Sequence, residues 1–114
     1  MPYYLFRGSY TAEAWAGLVK KPQNRTEIVR SAIENLGGTL EGAWLSFGED
    51  DVVAVCNMPD NVSAAAFSLA VAAGGALKSS KTTPLLTFEE GVEAMKKAAT
   101  CGYQPIAHSA KAGS

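Results

Sequence analysis

The chain has 114 residues, 47% of them hydrophobic and 18% charged, with a formal net charge of −1. That is enough for one domain with a single modest core, in a composition ordinary for a soluble globular protein. It excludes the basic footprint of a nucleic-acid binder or of a protein held to an anionic membrane, and no apolar run is long enough to span a bilayer.

The N-terminal residues lead straight into a strand, Tyr3 to Tyr10, with no basic leader or cleavage site, so a cytoplasmic location is expected. Thr11 then offers a cap for a short helix with Trp15, Leu18 and Val19 at helical spacing, which Lys20-Lys21-Pro22 interrupts. Asn24, with Glu27 three residues on, resembles a capping box and opens a second helix whose apolar stripe is Ile28, Val29, Ala32, Ile33 and Leu36. Gly37-Gly38 ends it.

Residues 39 to 58 read as a β-hairpin turning at Phe47-Gly48-Glu49-Asp50-Asp51, with Gly48 expected to supply a positive φ. Asp60 caps a helix over residues 61 to 73 that is small and apolar almost all round and is therefore expected to be deeply buried. Residues 76 to 84 form a last strand, whose lysines and terminal proline suit a sheet edge. Thr87 and Glu90 form a capping box for a final helix, with Phe88, Val92, Met95 and Ala99 expected to face inward. The domain is read as residues 1 to 99, followed by a tail over 100 to 114 rich in Gly, Ala and Ser.

This order is β-α-β-β-α-β with a C-terminal helix: an α+β, ferredoxin-like antiparallel sheet with its helices on one face. A one-sided sheet should alternate apolar and polar residues. Here Trp44 and Leu45, Val52 and Val53, and Tyr4 and Leu5 put apolar side chains on both faces. Something is expected to cover the second face, and a homodimer packed sheet to sheet is the simplest answer; the final helix or the tail is the competing cover.

Several segments carry a family resemblance. Arg7-Gly8-Ser9-Tyr10-Thr11, Leu36-Gly37-Gly38, Phe47-Gly48, Asp51-Val52-Val53, the run from Pro59 to Ala66 and the run from Thr82 to Thr87 resemble the GYD-domain family, over roughly residues 2 to 95. The resemblance implies a dimeric α+β barrel. The family's Gly-Tyr-Asp stands here as Gly48-Glu49-Asp50, so no role can depend on a phenol in that turn.

No residue set announces a reaction. Glu41, Glu49, Asp50 and Asp51 are the densest acidic group, but without histidine they read as a solvated turn and not as a metal site. His108, the single histidine, lies in the tail and would reach Ser9 only if the tail folded back. No glycine-rich phosphate loop is present, and no cofactor is implied. Cys56 and Cys101 are too few for a disulfide framework, and Cys56 in its strand reads as a packed, inert thiol.

Arg7 and Ser9 share a strand face, with Gly8 between them expected to admit a closely packed helix. If that face lines the space between two sheets, Arg7 could hold an anionic ligand, with Tyr3 and Trp44, joined by Tyr10 and Trp15, as an aromatic wall. The plainer reading pairs Arg7 with a carboxylate across the dimer and puts the aromatics in the core. The expected function is thus a small homodimeric module, or a higher homo-oligomer, for ligand binding or assembly. The alternative is a cofactor-independent monooxygenase or isomerase working in the barrel cavity, with its catalytic residues unidentified.

Overall fold

β1 (Tyr3–Tyr10) is the strand around which the rest is built: it pairs antiparallel with β3 (Val52–Asn57) on one side and β4 (Leu77–Leu85) on the other. β2 (Thr39–Leu45) adds to β3, giving the order β2-β3-β1-β4 with every pair antiparallel. This computed structural model, which describes residues 1–106, therefore has the ferredoxin-like α+β architecture expected from the sequence. The described part of the tail, from Thr100 to Ile106, has no regular structure, and His108 lies outside the described residues.

The crossover from β1 to β2 carries two helices, α1 (Ala12–Lys20) and α2 (Thr26–Asn35), with the Pro22 segment between them. Thr11 caps α1 by accepting the Ala14 N–H. At α2 the cap falls one residue later than expected: Arg25 occupies the position, and the Asn24 side chain accepts the Thr26 N–H in a tight local turn, so no capping box forms. α3 (Asn61–Ala73) starts at Asp60, whose carboxylate accepts the Ser63 N–H. α4 (Phe88–Ala98) opens on the complete Thr87–Glu90 capping box.

The core lies between one sheet face and helices α2 and α3. Tyr4, Phe6, Leu40, Ala54 and Cys56 from the sheet meet Ile33 of α2 and Ala64 and Phe67 of α3, with Met58 closing the end. Phe6 and Phe67 pack edge to face at 4.9 Å. The turn after α2 needs its glycines: Gly37 has φ 86, and a Cβ on Gly38 would sit 2.4 Å from the Asn57 carbonyl. Gly48, in contrast, is not among the glycines with positive φ; the β2–β3 turn closes through hydrogen bonds and not through a left-handed residue.

Two helices are less buried than their sequences imply. α3 buries only Ala64 and Phe67, and leaves Val62 and Leu69 exposed, because it rests on the sheet along one narrow stripe. α4 buries nothing: Phe88, Val92 and Met95 are 94%, 46% and 69% exposed, and Ala99 is exposed as well. The expected inward stripe exists, but among the described residues it has no surface to rest on. α4 instead projects from the end of β4, and the molecule measures 58 × 31 × 22 Å. Among the described residues, no helix is long and apolar enough to cross a membrane.

Candidate functional site

The register of the sheet sorts its side chains onto two faces. Phe6 lies opposite Ala54 and Thr82, and Thr82 meets Ser68 of α3, so the even-numbered residues of β1 face the helices. Tyr3, Leu5 and Arg7 point the other way, with Val53, Val55 and Asn57 of β3 and Lys81, Thr83 and Leu85 of β4. Among the described residues, no helix covers this second face.

β2 joins the same face only after a bulge. Its pairing shifts at Glu41, so Leu40 lies opposite Cys56 in the core while Trp44 lies opposite Val53 on the open side. Without the extra residue, Leu40 and Trp44 would share a face. Trp44 is 58% exposed, and its indole folds back along its own strand over Gly42, where a Cβ would stand 2.6 Å from the ring.

The β2–β3 turn locks onto one end of this face, and two adjacent aspartates do the locking from opposite sides. Asp51 accepts the Tyr10 N–H at 2.9 Å and the Trp15 indole N–H at 3.1 Å on the helix side, beneath the edge-to-face Tyr10–Trp15 pair. Its own N–H donates to the Gly8 carbonyl at 2.8 Å. Asp50 turns to the open side, where its carboxylate takes a 3.0 Å bond from Lys81 and lies 3.9 Å from Arg7 Nη1. Asp50 is 9% exposed. The acidic turn is therefore tied into the fold and is not the solvated loop that its composition suggests.

The four candidate residues separate in space. Arg7 and Trp44 fall in one cross-strand row with Val53 and Lys81, and Tyr3 stands on the same face further along β1. Ser9 is buried, and its hydroxyl donates to the Glu49 carbonyl at 3.2 Å. Tyr10 and Trp15 belong to the helix side, apart from Tyr3; Trp44, at the strand edge, also borders the groove that they floor. Gly8 makes room for the Leu77 side chain of β4, which a Cβ would meet at 2.7 Å, and not for a helix. The carboxylate nearest Arg7 is Asp50 of its own chain, at 3.9 Å and beyond hydrogen-bond distance.

The chain belongs to the GYD domain family. The family matches residues 4–97, nearly the whole of the regular structure. The curated proteins yield no match. Within the β2–β3 turn, Asp50 supplies the buried carboxylate, whereas Glu49 contributes its backbone carbonyl to Ser9 and leaves its side chain exposed. The turn therefore asks nothing of the Glu49 side chain.

Two clefts on the helix side were not legible in the sequence. One, of about 350 Å³, separates α2 from α3 over the sheet and is lined by Phe6, Ala32, Ala54, Phe67 and Val71. The other, of about 740 Å³, is an open groove between the Pro22 segment and the end of β2, floored by Tyr10, Trp15 and Val52. The small residues Ala32, Ala54 and Ala70 facing one another were the available signal, but they become a gap only once the helix positions are known. Among the described residues, no three His, Cys, Asp or Glu side chains cluster as metal ligands would.

Proposed function

We propose that this GYD domain works as a homodimer, packed sheet against sheet, that holds a small molecule between the two sheets. The observation that supports it is the open face: Tyr3, Leu5, Val53, Val55, Trp44 and Leu85 form an apolar floor that no element of the described chain covers. At strand spacing the four strands present a surface of roughly 20 Å by 20 Å. That flat footprint, roughly 400 Å², is half of the about 800 Å² of accessible area on one side of a standard interface, which puts the contact at the small end of the range. A twofold axis through it would bring the same face onto itself.

The enzymatic alternative needs an acid or base free to act beside the bound molecule. The carboxylate beside Arg7 is Asp50, already bonded to Lys81. A binding role therefore fits the residues better than a catalytic one.

The dimer is tested by light scattering at micromolar concentration, where a mass twice that of the 11.9 kDa chain is expected. Val55→Asp, in the middle of the face, is expected to weaken association by about a hundredfold or more, because a carboxylate closed between the sheets loses its hydration. Its circular dichroism should stay that of the parent. A parent protein that is monomeric at these concentrations rejects the reading.

A further inference from the structure

The open face carries a charge that its neighbours leave unmatched. Arg7 and Lys81 are direct cross-strand partners, an arrangement in which like charges repel. Asp50 lies between them but gives its hydrogen bond to Lys81, at 3.0 Å, and stands 3.9 Å from Arg7. No acceptor among the described residues takes a hydrogen bond from the guanidinium; its exposed side reaches water, while its Nε is shut away without an acceptor. Two cations and one carboxylate leave this cluster with one net positive charge. Closed beneath a second sheet, that charge would lose its water and need an anion.

The geometry around it suits a particular kind of anion. A guanidinium offers a planar fork that matches a carboxylate, sulfonate or phosphate. Trp44, in the same row and two strands away, stands about 10 Å from Arg7 at ordinary strand spacing, with Val53 between them. Leu5 and Val55 extend the apolar floor beside that row. We propose that the face binds a small apolar molecule bearing one anionic group, its anion on Arg7 and Lys81 and its body across Val53 toward Trp44.

This inference rests on the sheet-to-sheet dimer. The competing occupant is a carboxylate of the second copy. Asp50 is taken by Lys81, whereas exposed Glu41, which accepts only from the neutral Asn57 amide, and exposed Glu49 make no ion pair among the described residues. One outcome of the test therefore assigns Arg7 to one of them.

The test uses two fluorescent probes with the same aromatic frame, anilinonaphthalene sulfonate and the uncharged phenylnaphthylamine, titrated into the full chain while light scattering follows its mass. Arg7→Gln is expected to weaken the sulfonate about tenfold, the worth of a hydrogen-bonded charge, and to leave the neutral probe within about twofold. Lys81→Gln should weaken the sulfonate in the same sense and guards against an Arg7 variant that fails to fold. Sulfonate binding that ignores both substitutions in a protein that stays dimeric overturns the site alone. An Arg7→Gln protein that folds but falls to monomers assigns Arg7 to the second copy, and also overturns it. A monomeric parent removes the dimer reading, and this site with it.

Discussion

Alternate residues of β1 meet opposite circumstances. Tyr4 and Phe6 are 3% and 9% exposed beneath α2 and α3, while Tyr3, their neighbour on the same strand, is 38% exposed. The two faces do not differ much in apolar content; they differ in what covers them. An apolar strand residue is thus a core residue only if some other element reaches it, and here the helices reach one side. The projecting stripe of α4 makes the same point, being well formed, capped and without a partner among the described residues.

The largest expected effect breaks the covered side. Phe67→Ala removes the ring packed against Phe6 and should cost about 3–5 kcal/mol in urea denaturation. Val55→Ala on the open face should cost about 1 kcal/mol or less in dilute solution, with a penalty that grows as concentration rises and association contributes. Equal and concentration-independent losses would show that the two faces are equally packed, and the contrast would fail.

A smaller effect separates the two sides of the β2–β3 turn. Asp51→Ala leaves the Tyr10 N–H and the Trp15 indole N–H without their acceptor on the helix side, for an expected loss of about 2 kcal/mol. Asp50→Ala, on the open side, leaves Lys81 and Arg7 facing each other. Both cations still reach water, so about 1 kcal/mol is expected, and added salt should restore part of it by screening. If salt leaves the Asp50→Ala deficit unchanged, the repulsion between the two cations is not its cause.

Much of the fold was legible because local signals agreed with one another: Thr11, Asp60 and Thr87 cap where their side chains predict, and the strand order follows from the element order. The misses have a common origin in what a linear pattern cannot carry. The bulge at Glu41 decides which face receives Trp44, yet a bulge is a property of two paired strands. The burial of Asp50 depends on Lys81, 31 residues away. Arg7 was legible as a charged group on an open sheet face, because alternation alone places it there. Its missing hydrogen bonds were not, because they depend on how Asp50 divides itself between two cations.

The smallest effect lies at the centre of the covered face. Cys56 is fully buried, and burial, with the Glu41 charge second, raises its thiol from 9.0 to about 11. In the unfolded chain the same thiol ionises near its ordinary 9.0, so between that pH and about 11 the unfolded state sheds a proton that the folded state keeps. The contribution is therefore complete below pH 9.0 and is lost as pH climbs through about 11. The measurement is a difference, which isolates Cys56 from the rest of the chain: the urea midpoint should fall less steeply with pH in Cys56→Ala than in the parent. Ellman's reagent supplies the independent check, since exposed Cys101 should react at once and buried Cys56 only at the rate of unfolding. Fast reaction of both thiols would mean that the helix-covered face opens easily, which would undo the distinction between the two faces from its better-packed side.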